Sequence, residues 1–96
     1  MSTAAQKHMG RVADLGCLIC ERLGAGHTPV CVHHIRDGQG TGQRASDFLT
    51  IPLCHEHHQG ASGIHGLGTR RFERVYGVSE LDLLAMTIER LGRKWD

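Results

Sequence analysis

Two residue pairs in this chain have the spacing that holds a tetrahedral ion: Cys17-x-x-Cys20 and Cys54-x-x-His57. Two intervening residues let one tight turn aim both side chains at a single point. The pairs stand 33 residues apart, enough for a hairpin that brings them together. A lone C-x-x-C could also be a redox motif, but no βαβ pattern surrounds it and the second pair favours zinc. Cys31 competes for a ligand position and reads as a small buried thiol beside the site.

Histidine is the second cluster. The chain holds eight in 96 residues, and five of them (His33, His34, His55, His57 and His58) fall in two short motifs beside cysteines. Any one alone would read as a solvent histidine in a loop; the grouping argues otherwise. Adjacent residues on a strand point to opposite faces, so His33 and His34 cannot share a task. On a helix, neighbours differ in direction by about 100°. His57 then turns to the zinc and His58 to a second site.

These side chains need elements to position them. Residues 2–14 form a weakly amphipathic helix with Ala5, Met9, Val12 and Ala13 on one side, capped by Ser2 or Thr3 and ended by Gly16. Residues 21–29 read as a loop. Residues 30–35 and 48–53 are strand candidates, the second kept at an edge by Pro52. Between them lies the glycine-rich stretch 37–42, a loop. Residues 54–59 suggest a helical turn or two, broken by Gly60 and Gly63. Residues 69–76 form a short helix. Ser79, with Asp82 three residues on, opens the last helix in the manner of a capping box. Its stripe of Leu81, Leu84, Ala85, Ile88, Leu91 and Trp95 reads as core.

Composition sets limits. The length allows one domain, 1–96, divided as helix 1–16, zinc-bound core 17–66 and C-terminal helices 67–96. With only four aromatics (Phe48, Phe72, Tyr76 and Trp95) and thirteen glycines the core is thin, and a structural metal would supply stability. No apolar run approaches the ~20 residues of a membrane span. The N-terminus lacks a signal peptide's apolar stretch, so a cytoplasmic location is expected, where disulfides are rare and cysteines point to metal. Net charge is +1, which does not mark the whole chain as a polyanion binder. Arg70, Arg71 and Arg74 cluster, as do Arg90, Arg93 and Lys94; either group could face phosphate or simply solvent.

The run Val32, His33, His34, Ile35, a glycine-rich loop, and then Pro52, Leu53, Cys54, His55, Glu56, His57 and His58 resembles an HNH (ββα-metal) endonuclease. It is most similar to the phage-encoded branch related to recombination enhancement nucleases, over roughly residues 15–92. The resemblance implies an α+β fold, a small zinc-stapled ββα-metal domain with flanking N- and C-terminal helices. It implies that His33 and His58 hold a catalytic metal and His34 is the general base. Cys17, Cys20, Cys54 and His57 would be the structural zinc set. His65 would be a third catalytic ligand only if the break at Gly60 and Gly63 turns the chain back. Seven helical residues would otherwise hold it ~10 Å from His58. The family's central Asn has no counterpart; Asp47 is the nearest polar candidate, at a shifted register.

The expected activity is metal-dependent hydrolysis of DNA phosphodiesters. A near-neutral imidazole can take a proton from water at physiological pH. Two or three imidazoles leave coordination positions open, as a catalytic site requires. The second ion is expected to be Mg2+, Mn2+ or Zn2+, and imidazole ligands disfavour Mg2+. Arg36 and Arg44 flank the glycine loop and, with Arg70 and Arg71, are candidate phosphate contacts. Expected partners are DNA and a recombination protein, with no membrane. The alternative is a non-catalytic zinc module that binds nucleic acid or a partner protein, with a metal sensor as a weaker third.

Overall fold

The computed structural model describes residues 3–36 and 45–95. Helix α1 (Ala4–Asp14) opens on a reciprocal cap. The Thr3 hydroxyl accepts from Gln6 N–H at 3.1 Å, and the Gln6 side chain accepts from Thr3 N–H at 2.8 Å. Two of the donors that a helix start leaves open are thereby satisfied. Cys17 next caps a short helix, α2 (Leu18–Arg22), its Sγ accepting from Cys20 N–H at 3.4 Å. This replaces the expected turn and the first residues of the expected loop. A sulfur cap is a poor local signal, and α2 is held by burial of Leu18 and Ile19.

Strands β1 (Cys31–His34) and β2 (Thr50–Leu53) pair antiparallel, with Cys31 opposite Leu53, His33 opposite Ile51 and His34 opposite Thr50. Ile35 N–H donates to the Leu49 carbonyl at 2.9 Å and extends the ladder. Hydrogen-bonded pairs alternate along such a ladder, so Ile35 and His33 occupy bonded positions. Pro52, opposite Val32, therefore falls at a non-bonded position, where its missing N–H costs nothing. Both strands are shorter than expected. Phe48 N–H turns to the Ser46 hydroxyl at 3.1 Å, which makes a turn of the segment before Thr50.

Four helices follow: α3 (His55–His58), α4 (Ile64–Leu67), α5 (Thr69–Tyr76) and α6 (Glu80–Trp95). The architecture is α+β: a two-stranded sheet with helices before and after it. Helix α1 lies against both strands, while α2 and α6 lie against β2. Leu18, Ile19, Ile51, Leu53, Phe72 and Leu83 are fully buried, and Cys17 and Cys20 belong to the same cluster. The cysteines are thus part of the core.

Helix α6 corrects the expected stripe. Its capping box forms, with Asp82 N–H donating to the Ser79 hydroxyl at 3.0 Å and Ser79 N–H to the Asp82 carboxylate at 2.9 Å. The buried face, however, is Leu83 and Thr87, while Leu81 and Ile88 are more than half exposed and Ala85 is exposed. Thr87 tolerates burial because its hydroxyl donates to the Leu83 carbonyl at 2.8 Å. A stripe counted on apolar residues alone misses it. The Trp95 side chain, the glycine stretch 37–42 and Arg44 lie outside the described residues. Among the described residues no helix is long and apolar enough to cross a membrane.

Candidate metal centres

The first centre joins α2, with its cap Cys17, to α3, with its cap Cys54. His57 Nδ1 lies 3.5 Å from Cys17 Sγ, 3.5 Å from Cys20 Sγ and 3.2 Å from Cys54 Sγ, and the Cys20 and Cys54 sulfurs are 3.7 Å apart. Zinc bonds of about 2.3 Å to sulfur and 2.0–2.1 Å to nitrogen, in a tetrahedron, require edges of about 3.8 Å between sulfurs and about 3.5 Å from sulfur to nitrogen. The four side chains therefore already have the edge lengths of a zinc tetrahedron and fit one ion. Cys31 is excluded: it is exposed and stands outside the group, which corrects its reading as a buried thiol.

The electrostatics agree with the donor set. Burial lowers the His57 pKa, which keeps the imidazole neutral and able to bind. Burial pushes the Cys17 thiol up to about 11, partly opposed by hydrogen bonds from the Cys20 and Cys54 backbone. At Cys54 burial also raises the pKa, but hydrogen bonds from the His57 backbone and the Cys20 and Cys17 side chains outweigh it and lower the value. The Cys54 thiol thus gives up its proton more readily than that of Cys17, and an ion bound here must displace thiol protons.

The second centre depends on a sharp reversal after α3. The Glu56 carboxylate accepts from both the backbone N–H and the hydroxyl of Ser62. The Tyr76 hydroxyl donates to the Ser62 carbonyl at 2.6 Å. Two glycines let the chain pass this closely. A Cβ on Gly63 would sit 2.5 Å from the Glu56 carbonyl oxygen, and one on Gly66 would sit 2.3 Å from the Gly60 carbonyl oxygen. The result turns α4 back, so that His65 Nε2 lies 3.1 Å from His58 Nε2.

His33 enters the same group from β1. Ring centroids are 5.1 Å apart for His33 and His58, 5.1 Å for His33 and His65, and 4.8 Å for His58 and His65. One ligand atom from each lies within 4.8 Å of the others. Tetrahedral nitrogen ligands at 2.0–2.1 Å would be about 3.3–3.4 Å apart, close to the observed His58–His65 edge. His33 Nδ1 and His58 Nδ1 are buried without a hydrogen-bond partner among the described residues. Burial first, and then the charges of His33 and His65, push His58 down to about 4, so it is neutral at physiological pH. A buried ring nitrogen left without a partner and a neutral His58 suit an ion-binding site of this type, and the residues fit one.

His34 points to the other face of β1. Its Nε2 lies 2.8 Å from the Asp47 carboxylate, and its side chain is 36 % exposed against 7 % for His33. Both histidines open onto one cleft of about 410 Å3, which Arg36, His65, Arg70 and Glu80 also line.

The family model described as recombination enhancement, RecA-dependent nuclease matches residues 2–92, nearly the whole chain. The chain belongs to that family. It is the family its histidine and cysteine motifs resemble, and the family's own description makes it a nuclease. No curated protein and no solved structure shows significant similarity to the chain.

In this member of the nuclease family, the expected phosphate contacts divide. Arg36 and Arg70 line the cleft beside the histidines, whereas Arg71 is exposed and stands outside the lining. Asp47, a doubtful candidate by register, is brought directly onto His34. Three residues at the centres escape sequence reasoning. Glu56 and Tyr76 hold the reversal, and Glu80 reaches His33 Nε2 at 2.6 Å. Glu56 sits inside the motif itself, but nothing in a sequence links Tyr76 to Ser62 or Glu80 to His33.

Proposed function

We propose that this chain is a metal-dependent DNA endonuclease of the HNH type, with β1, β2 and α3 as its ββα-metal unit. The reading rests on one observation above the rest: His33 and His65 of a three-histidine group, and His34 of a separate His–Asp pair, line one cleft, with His33 and His34 on opposite faces of a single strand. A non-catalytic zinc module needs neither. Zinc at Cys17, Cys20, Cys54 and His57 has the structural task of holding α2 to α3.

His33, His58 and His65 would hold the second divalent ion, which supplies Lewis acidity toward phosphate and the departing 3′ oxygen. His34 is the general base. With Nε2–H donated to Asp47, the ring keeps Nδ1 as its acceptor, and Nδ1 takes the proton of the attacking water. The water oxygen bonds to phosphorus while the bond from phosphorus to the 3′ oxygen breaks. Asp47 fixes the ring's tautomer and direction. Arg36 and Arg70, at the cleft wall, would hold non-bridging phosphate oxygens. A RecA-class recombinase is the expected partner, a reading that the family's description as RecA-dependent supports.

The test compares His34→Ala with His33→Ala. Removing a general base costs ~10²- to 10⁴-fold in rate, so plasmid nicking with Mn2+ should fall by that order in His34→Ala while both metal contents stay intact. His33→Ala should lose the second ion as well as the rate. RecA filaments are included in parallel, so that a need for the partner is not mistaken for inactivity. Wild-type rates in His34→Ala would sink the mechanism and favour a module that only binds.

A further inference from the structure

Glu80 is the first residue of α6, directly after the cap Ser79, and comes from the far end of the chain to the floor of the cleft. Its Oε2 lies 2.6 Å from His33 Nε2, and the two side chains are 13 % and 7 % exposed. A contact this short, between partners this buried, fixes one nitrogen of the ring. The other nitrogen, Nδ1, is buried and has no hydrogen-bond partner among the described residues. Glu80 itself lies outside the set of mutually close ligand atoms formed by His33, His58 and His65.

From this arrangement we infer that Glu80 is a positioning residue for the second metal centre: its carboxylate accepts the Nε2–H of His33 and leaves Nδ1 as the nitrogen free to bind the ion. The inference rests on the proposed reading of the three-histidine group. A neutral imidazole has one donor and one acceptor nitrogen, and the partner of the donor decides which is which. A carboxylate on the non-ligating nitrogen also makes the other a stronger base, and loss of such a partner typically weakens a metal 10- to 100-fold. The helix start suits an acidic side chain, because the macrodipole favours negative charge there. The capping box of Ser79 and Asp82 fixes the first turn of α6, and with it the reach of Glu80. Helix α6 therefore belongs to the metal site as well as to the core.

The experiment uses the full chain with zinc at the cysteine centre, titrated with Co2+ and followed by its visible absorption and by calorimetry. Glu80→Ala should weaken the second Co2+ by 10- to 100-fold and leave the first zinc in place. Glu80→Gln, whose amide oxygen can still accept the Nε2–H, should lose less. Glu73, on α5, also lines the cleft; Glu73→Gln removes the same charge there and serves as the control, and its second ion should bind as in wild type. Two-bond nitrogen–proton NMR, before Co2+ is added, should show His33 as the single Nε2–H tautomer in wild type and as a mixture in Glu80→Ala. Equal Co2+ affinity in wild type and Glu80→Ala would overturn the inference alone. So would a loss in Glu73→Gln as large as that in Glu80→Gln, which would make the effect one of general charge. A wild-type chain that takes up no second Co2+ would instead overturn the reading of the three-histidine group, and this inference with it.

Discussion

Replacing Gly66 by alanine sets two effects of known size against each other. Gly66 lies inside α4 without a left-handed backbone, and alanine is favoured over glycine in a helix by ~1 kcal/mol. Against that gain stands the Gly60 carbonyl oxygen, 2.3 Å from where the new Cβ would be. An ordinary carbon–oxygen contact is about 3.3 Å or more, so the carbonyl must retreat by roughly 1 Å. That same oxygen accepts from Gly63 N–H at 3.0 Å. Losing the bond costs ~1 kcal/mol, and overpacking costs typically 1–3 kcal/mol. The net is a destabilisation of about 1–3 kcal/mol, or a fall in Tm of roughly 5–20 °C for a domain of this size.

Gly10→Ala is the matched control. Gly10 is in α1 with nothing among the described residues within 4 Å of its added Cβ, so the helix gain stands alone and Tm should rise by a few degrees, about 4–8 °C at most. Thermal melts of both zinc-loaded variants beside wild type make the comparison. Because His65 rides on the displaced turn, Gly66→Ala should also weaken the second Co2+, whereas Gly10→Ala should not. A Gly66→Ala protein that melts at or above wild type would show that the reversal is not as tight as described, and the placement of His65 beside His58 would fall with it.

Two other outcomes follow from the centres and the helix contacts. Cys17→Ala leaves three ligands at the first centre and a gap in the core; since structural zinc contributes ~10–16 kcal/mol in zinc-finger peptides, comparable to the whole stability of a domain, the variant should be unfolded or insoluble. An unchanged Tm and zinc content would refute the four-ligand assignment. Arg90 pairs with Glu21 and joins α6 to α2; its hydrogen bond, and to a lesser degree its charge, lowers the Glu21 pKa. A lowered carboxylate stabilises above its unfolded pKa and loses that contribution as pH falls through the folded value. The pair is well exposed, so Arg90→Ala should cost under ~1 kcal/mol at pH 7, and the difference should vanish in acid. A loss of several kcal/mol, or one independent of pH, would show that Arg90 acts through packing instead.

What could be read in the sequence is what local spacing decides. The two-residue gaps at Cys17 and Cys20 and at Cys54 and His57 need only one turn each. The Ser79 and Asp82 box needs one more, and helix α5 spans the expected residues 69–76. What could not be read depends on contacts between distant segments or on polar groups satisfied inside the core. Helix α4 is too short to show a period. The return of His65 rests on the Glu56 clasp and on two glycines whose crowding only the folded chain reveals. The buried face of α6 carries a threonine that hydropathy counts as solvent-facing, and 47 residues separate Glu80 from His33. One local feature nevertheless connects the two centres. His57 and His58 are consecutive on a helix of a single turn, one belonging to each group. Four residues cannot hold a helix by themselves; α3 is held by its packing on β1, β2 and α4 and by the first centre at His57, and α3 in turn aims His58. On the proposed reading, chelating zinc from the cysteine centre should therefore weaken metal binding at the second centre, although the two centres share no ligand; unchanged Co2+ binding there after chelation would show that packing alone holds α3.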